Sequence, residues 1–230
     1  MTGSATVKMA LMDEQWDIVS LQQMNWNIGD ESQYVAEDFM TVINHVYENL
    51  KVKPKLYFHA PWSNPDDPSY WVNDWFKTNG WEDNHKRLFP GADGQYDQRV
   101  MYETQMTMVK KYLVDSTEFL GKNYFDTIVD AGTPIQYAQD VLGQTHDQMY
   151  RDYTHLGDFG GLIASYYWYA KLMGLSSIEA VHVDKIPMNL HIQQSKYPTL
   201  PEYAITDDMK QIIIESVNWA LAHQFELPAQ

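Results

Sequence analysis

Residues 16–60 read WDIVSLQQMNWNIGDESQYVAEDFMTVINHVYENLKVKPKLYFHA, and this stretch decides the fold. Its two ends, Trp16 to Gln23 and Lys55 to Ala60, are short apolar runs with β-branched and aromatic residues, bounded by polar ones, which is the pattern of buried strands. Between them Val35, Phe39, Val42, Ile43, Val46 and Leu50 recur at spacings of three and four. Gln33 to Leu50 is therefore expected as an amphipathic helix, with Asp30 as its N-cap and Pro54 beyond its end. Strand, helix, strand in that order is one βαβ unit of a parallel sheet.

The rhythm continues toward the C-terminus. Asp97 to Leu120 reads as a helix with Val100, Met101, Met108, Val109 and Leu113 facing inward, and Tyr124 to Asp130 (YFDTIVD) as a third strand. Ala131 to Pro134 leads into a helix over Ile135 to Leu142, and Phe159 to Met173 is a further helix. Ser176 to Ala204 is irregular, and Thr206 caps a final helix, within 205–224, whose apolar face is Ile212, Ile213, Val217, Ala220 and Leu221. No repeat, low-complexity tract or linker divides the chain, so residues 1–230 are read as a single α/β domain with helices on both faces of a parallel sheet. Ligands of such sheets sit beyond the carboxyl ends of the strands. The segments to search are thus Gln22 to Asp30, Pro61 to Ser63, Ala131 to Gln136 and the loop that holds Asp152 and His155.

Composition narrows the partners. A net charge of -15 argues against nucleic acid, whose phosphates require Lys and Arg, and against anionic membranes. The absence of cysteine excludes disulfides and thiolate zinc sites. No apolar run reaches the ~18 residues of a membrane span, and Met1 to Ala10 lacks the apolar core of a signal peptide. Eight Trp and 16 Tyr are in excess, and residues 61–95 scatter Trp62, Trp71, Trp75, Phe76 and Trp81 among Pro, Gly, Asn and Asp. This is an aromatic-rich loop of the kind that stacks on sugar rings or packs its own interior.

Asp152 and His155 are the sharpest chemical pair. A carboxylate three residues before an imidazole, on a loop ahead of a helix, accepts one ring N–H and leaves the other nitrogen to deprotonate a hydroxyl. Trp62 and Ser63, just past the second strand, are candidates for lining a substrate cleft, as is Gln136 near the start of a helix at the same rim. His59 ends the second strand and is a candidate pocket wall. His45 falls within a helix, and His146, His182, His191 and His223 share no metal-site spacing, so neither a metal nor a cofactor is expected.

Several ordered motifs go further together. Leu21-Gln22-Gln23, His59-Ala60-Pro61-Trp62-Ser63, Met101-Tyr102-Glu103, Ala131-Gly132-Thr133-Pro134-Ile135-Gln136 and Arg151-Asp152-Tyr153-Thr154-His155-Leu156 occur in that order. Over roughly Trp16 to Gly174 the chain thereby resembles a bacterial branch of the SGNH (GDSL-like) hydrolases, catalogued as a domain of unknown function. The resemblance implies a three-layer, flavodoxin-like α/β/α sandwich that cleaves esters, often acetyl groups on polysaccharides, by a Ser-His-Asp arrangement. The last block of the family, Asp-x-x-His, falls on Asp152 and His155. The amide that helps to bind the oxyanion falls near Gln23, with Gln22 and Asn25 as rivals; an amide offers N–H without ionising.

The family's opening block, a strand ending in Gly-Asp-Ser or Gly-Asn-Ser, has no counterpart ahead of Trp16, and Ser4 follows no strand. On this resemblance the first strand and the nucleophilic serine are expected to be absent from this chain, leaving a sheet edge through which two copies can pair. The expected partner is a small-molecule or glycan ester, and the resemblance implies a secreted or periplasmic location. The functional expectation is an esterase whose serine lies elsewhere; its rival is a catalytically inactive glycan-binding or scaffold module.

Overall fold

A computed structural model describes residues 6–25, 27–65, 78, 80–152, 154–184 and 206–229. Strands β1 (Ile18–Gln22), β2 (Lys55–Ala60) and β3 (Thr127–Asp130) form a parallel sheet in the order β1-β2-β3. The register sets Gln22 beside His59 and Ala60 beside Asp130. The helices include α1 (Val7–Asp13), α2 (Ala36–Asn49), α3 (Trp81–Leu88), α4 (Gln98–Val109), α5 (Gly132–Asp140), α6 (His146–Met149), α7 (Asp158–Met173) and α8 (Asp207–Ala222), and single helical turns form at Gly121–Tyr124 and, within the stretch expected to be irregular, at Ala180–Val183.

Alternation along the strands divides the core in two. Leu56, Phe58 and Ile128 turn toward Ile43 and Val46 of α2 and Tyr102, Met106 and Val109 of α4. Tyr57 and Val129 turn the other way, toward Ile135 of α5, Ile163 and Tyr167 of α7, and Ile213 and Val217 of α8. Being covered on both faces, β2 is buried at every position after Lys55, which is why its sequence reads as an unbroken apolar run. The result is a three-layer α/β/α sandwich of the flavodoxin-like kind. β1 has only β2 as a neighbour among the described residues, and its Ser20 and Gln22 are exposed.

The observed elements are trimmer than the sequence reading at several ends. The first strand runs from Ile18 rather than Trp16, and the third from Thr127 rather than Tyr124, because Gly121–Tyr124 closes into a helical turn. Asp30 caps a short 3-10 turn (Glu31–Gln33), accepting from the Ser32 N–H at 2.9 Å, and not the long helix, which starts only after Val35. The helix that follows Asp97 ends its α-helical part at Val109 and widens to a π-helical turn over Lys110–Asp115. Gly132 to Pro134 are already helical, so α5 begins three residues earlier than expected. Thr206 caps the last helix as read, its hydroxyl accepting from the Met209 N–H at 3.2 Å. Within 61–95, the residues Trp71, Trp75 and Phe76 lie outside the described set, as do 185–205 of the irregular tail.

The segment after α8 is tied across the end of β3. The Phe225 N–H, on a residue with φ of 64°, donates to Asp130 Oδ2 at 3.1 Å. Tyr102 donates its hydroxyl to the Glu226 carbonyl at 2.7 Å, and Arg99 Nη2 donates to that of Pro228 at 2.5 Å. Asp130 is wholly buried; it also accepts from the Tyr167 hydroxyl at 2.5 Å and the Thr133 hydroxyl at 2.8 Å. Burial pushes its carboxyl above the usual carboxylate range, against the pull of Lys171 and these donors.

Candidate active site

The loop between α6 and α7 is folded back on itself. Tyr150 and Leu156 form an antiparallel bridge, Arg151 N–H donates to the His155 carbonyl at 3.0 Å, and Gly157 N–H to that of Met149 at 2.9 Å. Within this tight turn one carboxylate organises everything. Asp152 Oδ1 accepts the Thr154 N–H at 3.0 Å and the His155 N–H at 2.8 Å, and both carboxylate oxygens stand 2.9 Å from His155 Nδ1. Turn residues with short acidic side chains favour this self-capping geometry. The His155 side chain is 55% exposed and that of Asp152 23%, so the ring is held at Nδ1 by the carboxylate while more than half of the side chain faces solvent.

Two anchors place the turn at the carboxyl ends of the strands. Trp62, two residues past β2, donates its indole N–H to the Thr154 carbonyl at 2.8 Å. Asn25, three residues past β1, donates one amide N–H to the Thr154 hydroxyl at 2.8 Å and the other to Asn64 Oδ1 at 2.5 Å. Gln105 of α4 donates to the Asn25 carbonyl. The pair picked out by its spacing is therefore found as a bonded pair, at the rim that the strand order marks for ligands.

The amides singled out in sequence separate in space. Asn25 alone of the three bonds the turn, and both of its amide N–H groups are engaged with protein acceptors. Gln23 is half-buried and reaches the Gln33 carbonyl at 3.4 Å. Gln22 is exposed, next to His59 in the register. Gln22 and Gln23 both border a groove of about 290 Å³ between the sheet and α2, with Leu21, Phe39, Val42 and Phe58. Ser63 and Gln136 are brought together, the serine hydroxyl 3.4 Å from Gln136 Oε1, but both are buried. Their place is behind the rim, where the Ser63 carbonyl accepts the Tyr150 hydroxyl at 2.9 Å and so fixes the base of the turn.

Other parts of the rim were not legible in sequence. Thr154, the hinge of both anchors, sits unremarked between the two residues that stand out. Trp168 of α7 donates its indole N–H to His59 Nδ1 at 2.8 Å, with the rings tilted by only 27°. Trp62 meets the same imidazole edge-on at 6.1 Å. His59 is buried, and that burial pushes its imidazole down to about 4. At Gly132, which opens α5, a Cβ would stand 2.8 Å from the Pro61 carbonyl oxygen and 3.2 Å from Trp62 Cα, so only glycine lets α5 pass this close beneath the rim.

Comparison with known proteins assigns the chain to a family. The profile of the family described as Domain of unknown function (DUF4886) matches residues 1–189. The chain belongs to the DUF4886 family. A solved relative bears out the fold of this DUF4886 domain: the crystal structure of a DUF4886 family protein from Bacteroides uniformis ATCC 8492 superposes with a TM-score of 0.62 at 21% identity, covering 97% of this chain and 69% of that one. No curated protein matches this DUF4886 chain.

Proposed function

We propose that this DUF4886 domain carries the acid and base of an ester-hydrolysing centre of the SGNH kind, acting on acyl esters of carbohydrates. One observation carries the reading: the Asp152 carboxylate is 2.9 Å from His155 Nδ1 at both oxygens while the imidazole side chain is more than half exposed. With Nδ1–H held by the carboxylate, Nε2 is the basic nitrogen, and the imidazolium formed when it takes a proton is stabilised by Asp152. Among the described residues the ring bonds Asp152 alone, so the hydroxyl it serves is a water or the serine of the hydrolases that the motifs resemble. That hydroxyl oxygen attacks the ester carbonyl as its proton passes to Nε2, and the same proton is then returned to the departing alkoxide. Trp62, half-buried and fixed by Thr154, supplies a ring on which a sugar face can rest.

The test is hydrolysis of p-nitrophenyl acetate by the parent, His155→Ala and Asp152→Ala. General-base participation contributes about a hundredfold or more, so both variants are expected to lose that much of the parent's rate while keeping its circular dichroism. Equal rates in parent and His155→Ala overturn the proposal. Retention of acetylated xylan by a parent that releases no acetate favours the second reading, a glycan-binding module, for which the Trp62 ring is the supporting feature.

A further inference from the structure

His59 has a fixed proton, and it is in an unusual place. Indole N–H groups only donate, so the 2.8 Å contact from Trp168 Nε1 requires His59 Nδ1 to be the bare acceptor nitrogen. The imidazole hydrogen is therefore on Nε2. Burial keeps the ring neutral at ordinary pH, so no charge competes with this assignment. Among the described residues, Trp168 is the hydrogen-bond partner of this ring, and Nε2 meets no acceptor. It is a donor at the carboxyl end of β2 with no acceptor among the described residues.

Its surroundings select a ligand type. Trp168 lies alongside the ring and Trp62 stands edge-on to it, so two indoles wall the donor. Gln22, exposed on the adjoining strand, is His59's partner in the register, and paired residues of a parallel sheet project from the same face. Trp62 also bonds the carbonyl of Thr154, the residue before His155, so the donor is one indole away from the proposed base. Apolar walls with a neutral N–H and a neighbouring amide suit an uncharged oxygen, and the net charge of -15 disfavours anions at the same mouth.

We propose that His59 Nε2–H, walled by Trp62 and Trp168 and flanked by Gln22, is a binding subsite for a neutral oxygen acceptor of a saccharide ester, its acyl carbonyl or a ring hydroxyl. The choice of ligand rests on the hydrolase reading above; the donor itself does not. A preset tautomer costs no proton rearrangement on binding, so the subsite positions the sugar before His155 acts.

The intact chain with ¹⁵N-labelled histidine tests this by long-range proton-nitrogen correlation, which reads the tautomer of each imidazole. The probes are acetylated xylobiose and, in a separate arm, unmodified xylobiose. The expected result is a free protein with His59 protonated at Nε2 and a shift of that signal on adding sugar. A shift with the acetylated sugar only assigns the acyl carbonyl, and a shift with both assigns a hydroxyl. By calorimetry His59→Gln is expected to bind about three- to tenfold more weakly, the loss that one neutral hydrogen bond entails. Trp168→Phe, which removes the donor to Nδ1, is expected to mix the tautomers and weaken binding likewise. His59 signals unmoved by either sugar at the highest soluble concentration overturn the subsite, and that measurement needs no variant to fold. The His155→Ala protein is expected to show the same shift. Sugar-dependent shifts without His155-dependent turnover remove the hydrolase reading alone, whereas His155-dependent turnover with silent His59 removes the subsite alone.

Discussion

Trp62 and Thr154 are joined by an indole N–H to carbonyl bond of 2.8 Å across 92 positions of sequence. Through it, the turn that carries Asp152 and His155 hangs from the segment that leaves the central strand. The position of the imidazole is therefore set by β2 as much as by its own loop.

Trp62→Phe keeps a ring and deletes that bond. The Thr154 carbonyl then turns to water, and the turn retains Asn25 as its other anchor. Such a bond contributes about 1 kcal/mol net, so melting is expected to fall by a few degrees and His155-dependent ester hydrolysis by about three- to tenfold. Thermal melts and steady-state rates of the two proteins check it; unchanged rates break the link between Trp62 and the base.

Gly132→Ala asks α5 to move away from the Pro61 carbonyl, 2.8 Å from the added carbon. Backbone cannot yield as a flexible side chain does, so a loss of about 1–3 kcal/mol in urea unfolding is expected, with loss of hydrolysis beyond what the lower stability explains. At Gly161, where an added Cβ meets nothing within 4 Å, the same substitution is the control and is expected to leave activity unchanged.

The stability of the parent should fall in mild acid because of His59. Its imidazole is depressed to about 4 in the fold from about 6.5 when unfolded, since burial opposes the charged form. The contribution of the neutral ring is thus complete above about pH 6.5 and lost as pH falls toward 4, roughly 3 kcal/mol in all. Urea midpoints of parent and His59→Gln across this range check it: the parent's advantage is expected to shrink steadily with acid.

Asp130 works in the opposite direction. A carboxyl raised by burial favours the folded state while protonated, so its contribution is greatest below the unfolded carboxylate range and declines as pH rises through its folded value. Asp130→Asn removes the titration. Relative to the parent, the variant is expected to gain stability as pH climbs from about 4 toward neutrality. A difference that stays flat with pH shows that Asp130 does not titrate with folding.

The parts legible in sequence are those with a local signature. Lys55–Ala60 is a strand with the bounds its apolar run suggests, since a strand buried on both faces needs no partner to identify it. Asp152 and His155 bond because three residues of a tight turn bring them together whatever surrounds them. Contacts across the chain left no such trace: Asn25 meets Asn64 and Thr154 at separations of 39 and 129 residues, and the Trp168 bond to His59 spans 109. Ser63 and Gln136 were placed at the right end of the sheet, yet which way a side chain turns after the last paired residue depends on the exit path of the backbone. The helix α1 was not foreseen, because Val7, Met9 and Met12 are exposed and only Leu11 is buried, which gives too faint a stripe to read.

The tether at the end of β3 has a temporal meaning during synthesis. Asp130 receives one of its donors from Phe225, made 95 residues later, and Tyr102 waits longer still for Glu226. Until that stretch has left the ribosome, the carboxyl group at the heart of the sandwich lacks its backbone donor. All three strands lie within the first 130 residues, so the sheet can pair before the segment that ties its far end has been made.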